Sequence, residues 1–118
     1  MYDLPNDEFR ERLLELNGTP PEVLEHPELM EILLPMLRAD FELDDTYRPL
    51  PGPALDCPIK VYGGRDDPEV DSHDLDAWTE LTTAPTTVTY LPGTHFFINE
   101  QRDLLLKMIG DELNRRAL

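Results

Sequence analysis

The sequence predicts an α/β fold in which a helical segment, residues 1–50, precedes a β-α-β-α unit of parallel sheet, residues 51–118. Three observations predict it. In the first block apolar residues recur at helical spacing between prolines. In the second, Ile59-Lys60-Val61-Tyr62 and Thr86 to Leu91 are short β-branched and aromatic runs, each followed by a glycine-containing turn. A helical pattern follows each run, which is the order of consecutive right-handed crossover units.

The first helix is expected after Asn6 or Asp7, either of which is a capping type, with Leu4 as a hydrophobic staple and Phe9, Leu13 and Leu16 on one face. Gly18 is expected to stop it. Thr19-Pro20-Pro21 starts a very short helical piece through Leu24, and His26-Pro27 starts another. From Pro27 to Ala39, Leu29, Ile32, Leu33, Met36 and Leu37 fit a 3.6-residue period, but Pro35 lies inside the run and predicts a break or kink near Leu34. Phe41, Leu43 and Tyr47 continue the apolar side, and Arg48 to Pro53 is too proline-rich to be helical.

In the second block Asp71 or Ser72 caps a helix with Leu75, Trp78 and Leu81 on its apolar face. Asn99 is expected to cap a final helix, 100–116, with Leu105, Met108, Ile109 and Leu113 as its buried stripe. Two strands do not make an independently stable parallel sheet, since such strands need neighbours on their edges and helices on both faces. The expectation is therefore that something precedes residue 1, or that the chain pairs with another.

The composition narrows the function. A chain of 118 residues holds material for one modest core. Its net charge of −15, from 25 acidic and 10 basic side chains, has no Lys/Arg cluster and argues against nucleic acid and anionic membranes as partners. The single cysteine, Cys57, excludes an internal disulfide and fits a reducing compartment; its place ahead of an apolar run predicts a buried or half-buried thiol. The N-terminus has neither a basic segment nor an apolar run, so a soluble, cytoplasmic protein is expected. His26, His73 and His95 lack the short regular spacing of a zinc site, and no cofactor or metal is implied.

Residues just past the carboxyl ends of parallel strands converge on one rim. Asp67 follows the first strand by a glycine-rich turn, and His95 follows the second through Pro92-Gly93-Thr94. A carboxylate that accepts the Nδ1 proton of an imidazole leaves Nε2 free to take a proton from a hydroxyl. Asp67 and His95 are thus candidate acid and base, with Asp66 a rival for the acid; a solvated acidic turn and an ordinary loop histidine are the alternatives. The nucleophile is missing. Ser72 is the only serine, no G-x-S-x-G elbow exists, and Ser72 is explained as a helix start, while Cys57 precedes its strand and projects from the opposite rim.

With those residues in hand, the chain resembles the C-terminal half of the stand-alone editing thioesterases of polyketide and nonribosomal peptide synthesis, which have the α/β-hydrolase fold. The resemblance runs through Asn17 to Leu24, Leu33-Leu34-Pro35-Met36-Leu37-Arg38-Ala39-Asp40-Phe41, Tyr47, Cys57-Pro58-Ile59, Gly63-Gly64-Arg65-Asp66-Asp67-Pro68, Trp78 and Pro92-Gly93-Thr94-His95-Phe96-Phe97. It implies a partial α/β-hydrolase with a lid-like first segment, Asp67 as catalytic acid, His95 as general base, and Leu33, Met36, Leu37 and Phe41 as acyl-channel or lid residues. The implied activity is hydrolysis of acyl thioesters on a phosphopantetheinylated acyl or peptidyl carrier protein. The chain alone is expected to be inactive without a separate N-terminal thioesterase half; a non-enzymatic carrier-protein or protomer binding module is the alternative. In the resembled pattern glycine precedes the histidine, and Thr94 stands there instead, which predicts a crowded turn or a shifted imidazole.

Overall fold

The computed structural model describes residues 1–116, which fall into two compact units, Met1–Gly52 and a second beginning at Pro53. In place of one modest core, each unit buries its own apolar residues.

The first unit holds α1 (Asn6–Leu16), α2 (Pro21–Leu24) and α3 (Pro27–Thr46). Phe9, Leu13, Leu24, Met30 and Leu34 form its core, with Leu4, Leu37 and Phe41 packed against them. Phe9 and Met30 are fully buried, and the Phe9 ring meets Phe41 edge-on at 5.7 Å with the Arg38 guanidinium 4.6 Å above it. Several local expectations are corrected. Pro5, not Asn6 or Asp7, occupies the cap of α1, with no side-chain cap, and Asn17 rather than Gly18 ends the helix by adopting φ 58°. Asparagine tolerates that left-handed conformation better than most residues. His26 caps α3, its Nδ1 accepting from the Leu29 N–H at 3.2 Å.

The expected break at Leu34 is absent: α3 runs unbroken through Pro35. Proline leaves the Glu31 carbonyl without its helical donor. Glu31 and Pro35 are both exposed residues, a setting in which solvent can replace the missing donor. Leu43 and Tyr47 do not continue the apolar side; they are 73% and 66% exposed.

The second unit holds β1 (Ile59–Gly64), α4 (Ser72–Asp76), a 3₁₀ helix (Ala77–Leu81), β2 (Thr86–Leu91), α5 (Phe97–Glu100) and α6 (Arg102–Arg116). β1 and β2 pair in parallel with Ile59 opposite Thr86 and Gly64 opposite Leu91. β1 therefore includes Gly63 and Gly64 instead of ending before them. Val61, Leu75, Leu91 and Phe97 are the buried apolar residues, and buried Thr82 satisfies its hydroxyl on the Leu55 and Cys57 carbonyls at 3.1 and 2.6 Å.

Asp71 caps α4 through a capping box with Asp74, the two backbone-to-carboxylate bonds both 3.0 Å long. The expected continuous helix then tightens into the 3₁₀ segment, leaving Trp78 and Leu81 about half exposed, at 47% and 49%. Asn99 does not cap the last helix but lies within α5; the interruption is at Gln101, φ −117°. Nor is the apolar stripe of α6 buried. Leu105 and Met108 are half-buried, while Ile109 and Leu113 are exposed. A two-stranded sheet is only about 5 Å between strand axes, too narrow to cover a helix of this length. Cys57 is exposed, correcting the expectation of a covered thiol.

Candidate active site

β1 and β2 run side by side in the same direction, so the segments leaving Gly64 and Leu91 emerge together. Two backbone bonds hold these segments: the Arg65 N–H donates to the Leu91 carbonyl at 2.8 Å, and the Asp66 N–H to the Gly93 carbonyl at 2.9 Å. Gly93 takes φ +130°, a conformation suited to glycine. Gly64 is required for closeness: a β-carbon there would come 2.2 Å from the Thr94 carbonyl oxygen.

This clamp brings Asp67 and His95 into contact. Asp67 Oδ2 lies 2.9 Å from His95 Nδ1, and Asp67 Oδ1 accepts the Glu69 N–H at 2.8 Å. A carboxylate only accepts, so its partner Nδ1 carries a proton, and in the neutral ring the lone pair is then on Nε2. The Asp67 side chain is 6% exposed and that of His95 39%. The carboxylate is thus covered and oriented, while the ring remains accessible. The Phe96 ring stands edge-on to the imidazole at 5.4 Å.

Asp66 makes no such contact; its N–H serves the Gly93 carbonyl and its side chain is exposed. A cavity of about 290 Å³ adjoins the pair, its wall including Tyr62, Val70, Phe97 and Ile98. With Thr94 before it, His95 still reaches Asp67. The Thr94 side chain turns to Glu100, whose carboxylate accepts both the Thr94 hydroxyl and its N–H, the latter at 3.2 Å. Sequence reasoning missed Glu100, because nothing in periodicity signals a side chain folding back six residues.

Among the described residues the hydrogen-bond partner of the His95 ring is Asp67, and neither Ser72 nor Cys57 bonds to it. Ser72 opens α4, which follows the carboxyl end of β1, and Cys57 precedes β1, at the other end of that strand. Of the four residues expected to line an acyl channel, Leu33, Leu37 and Phe41 are half-buried, the last two against the first unit's own core, and Met36 is 61% exposed. No helix among the described residues is long and apolar enough to cross a membrane.

Comparison with known proteins places this geometry. The thioesterase domain family matches over residues 1–113. The gramicidin S biosynthesis protein GrsT of Aneurinibacillus migulanus is 39% identical over 110 residues, covering 93% of this chain and 43% of that protein. The type II thioesterase BorB from the borrelidin biosynthetic cluster superposes with a TM-score of 0.77 at 38% identity, covering 95% of this chain and 46% of BorB. RedJ, the thioesterase of the prodiginine pathway in Streptomyces coelicolor, superposes with a TM-score of 0.81 at 33% identity, covering 94% and 44% respectively. The chain spans less than half the length of these relatives, and its fold is the corresponding part of an α/β-hydrolase. With a match that takes in both helical segment and sheet, the chain belongs to the thioesterase domain family.

Proposed function

We propose that this chain carries the acid and base of a Ser-His-Asp thioesterase site, with Asp67 as acid and His95 as general base. The observation that carries the reading is the 2.9 Å contact between Asp67 Oδ2 and His95 Nδ1, which holds the imidazole in the tautomer a general base needs. The substrate class is an acyl thioester on the phosphopantetheine arm of an acyl or peptidyl carrier protein, as befits relatives from gramicidin and borrelidin biosynthesis.

In this reading a serine hydroxyl attacks the thioester carbonyl while His95 Nε2 takes its proton. The imidazolium, stabilised by Asp67, gives that proton to the departing sulfur, and the pantetheine thiol leaves. Water then attacks the acyl-serine ester with His95 again as base, releasing the acid and restoring the hydroxyl. Because the only serine, Ser72, opens a helix and no G-x-S-x-G elbow exists in these 118 residues, the attacking serine in this reading is supplied by a nucleophile-bearing segment outside them. The chain by itself is expected to be inactive. Of the lid candidates, Met36 is exposed and Leu33, Leu37 and Phe41 are half-buried, so Met36 has the most side-chain surface available to touch an acyl group.

A second reading is a non-enzymatic module that binds a carrier protein or another protomer, favoured by the absence of a G-x-S-x-G elbow from these residues. One experiment separates the two. Hydrolysis and binding of an acyl-carrier thioester are measured for the chain alone, for the chain mixed with a G-x-S-x-G-bearing N-terminal half of a relative, and for His95→Ala in both settings. The enzymatic reading expects turnover only in the mixture, reduced by about 10³-fold or more in His95→Ala with binding kept. Turnover that His95→Ala leaves unchanged, or binding with no turnover in any mixture, sinks it.

A further inference from the structure

We propose that Glu100 is a positioning residue for His95, acting through Thr94. The inference rests on the reading of Asp67 and His95 as a proton-handling pair, and it adds to that pair the group that fixes the turn on which the imidazole is carried.

Glu100 is the last residue of α5, and its carboxylate folds back over the turn before the histidine. Both its oxygens face the Thr94 N–H, at 3.3 and 3.2 Å, and Oε1 also accepts the Thr94 hydroxyl. That hydroxyl in turn accepts the Phe96 N–H at 3.3 Å. A hydroxyl has one proton to give and lone pairs to receive, so giving the proton to Glu100 leaves it free to hold Phe96. The Phe97 N–H donates to the Thr94 carbonyl at 3.0 Å. The residues on both sides of His95 are therefore tied to a single hydroxyl, and that hydroxyl is anchored to Glu100.

Two features make the site specific for a carboxylate on a threonine. All groups facing Glu100 here are donors, which a carboxylate meets with two acceptors, whereas a glutamine offers one acceptor and turns an N–H donor towards them. Gly93 leaves room for the carboxylate, since a β-carbon there would stand 2.7 Å from Glu100 Oε2. Thr94, which as a β-branched residue in a tight turn predicts disturbance, instead supplies the link that a glycine lacks.

A group that merely capped α5 would change helix stability without touching the proton between Asp67 and His95. The test reads that proton directly. In the 118-residue chain labelled with ¹⁵N-histidine, the Nδ1-bound proton of His95 is observed by NMR and assigned by its loss in His95→Ala. Its exchange rate with water is then compared across Thr94→Ser, Thr94→Val, Glu100→Gln and Glu100→Ala. Folding of each variant is followed by far-UV circular dichroism in urea.

Thr94→Ser, which keeps the hydroxyl, is expected to match the wild type. Thr94→Val, which keeps the shape alone, and Glu100→Ala are expected to exchange about tenfold faster, with Glu100→Gln between them. Wild-type exchange in both Thr94→Val and folded Glu100→Ala overturns the positioning role and leaves the pair standing. Should Glu100→Ala unfold, the near-isosteric Thr94→Val decides alone. A wild-type chain with no Nδ1-bound proton at His95 overturns the pair itself, and the positioning role falls with it.

Discussion

Replacing Gly64 by alanine tests whether the close approach of the two strand ends holds the site together. The added β-carbon would lie 2.2 Å from the Thr94 carbonyl oxygen, 2.9 Å from that of Gly93 and 3.0 Å from the Thr94 carbonyl carbon. All three are backbone atoms, so no side chain can rotate away. Reaching an ordinary 3.4 Å contact requires an opening of 3.4 − 2.2 = 1.2 Å, which strains or breaks the 2.9 Å bond from the Asp66 N–H to the Gly93 carbonyl. Overpacking together with a weakened backbone bond costs about 2–3 kcal/mol. Trp78, the single tryptophan, lies in the same unit and reports its unfolding. Its urea midpoint is expected to fall by on the order of 1 M, with faster exchange of the Nδ1-bound proton of His95. Two other glycines serve as controls. At Gly63 a β-carbon meets only the end of the Leu75 side chain at 2.6 Å, the next atom being 3.8 Å away, so alanine there costs about 1 kcal/mol. At Gly110, inside α6, nothing lies within 4 Å, and alanine stabilises by about 0.5–1 kcal/mol. A Gly64→Ala chain with the stability of Gly63→Ala and an unchanged His95 proton would refute the reasoning.

In the first unit, Phe9→Ala removes a fully buried ring that meets both Phe41 and Arg38, and is expected to cost about 3–5 kcal/mol, read as an earlier loss of helical circular dichroism in urea. Acid is expected to weaken the second unit through Glu112. The hydrogen bond from Arg116, then that from Lys60, holds its carboxyl below the ordinary 4.5. A depressed folded-state value means that the unfolded chain binds the proton more readily, so the contribution is complete above 4.5 and is lost as pH falls through the folded value. The Trp78-detected midpoint should therefore drop between about pH 6 and about pH 3, and Glu112→Gln should flatten that part of the profile. A profile of unchanged slope in Glu112→Gln would remove Glu112 as the cause.

The strands and the meeting of Asp67 with His95 were legible in the sequence because each depends on short-range signals. β-branched runs specify extended chain, turn residues end it, and a parallel pairing sends both strand ends to one rim. What was not legible depends on surroundings. Pro35 reads as a helix breaker, yet its helix continues, with Pro35 and Glu31 both at exposed positions. The stripe Leu105, Met108, Ile109 and Leu113 is a genuine periodicity, but periodicity identifies a face and not what covers it. Asn99 looks like a cap in isolation, while the backbone places the interruption two residues later at Gln101. The contact from Glu100 to Thr94 was out of reach for a further reason. It depends on a carboxylate turning back against the chain direction, which composition and spacing do not encode.

The central claim is that Asp67, and not its neighbour Asp66, orients His95 as a general base. The most direct measurement compares acyl-carrier thioester turnover by Asp67→Asn and Asp66→Asn chains, each supplied with the nucleophile-bearing half of a relative. An amide at position 67 offers Nδ1 no carboxylate and permits the wrong tautomer, so a loss of about 10⁴-fold is predicted there, with Asp66→Asn close to the wild type. A large loss in Asp66→Asn with Asp67→Asn unaffected would contradict the account.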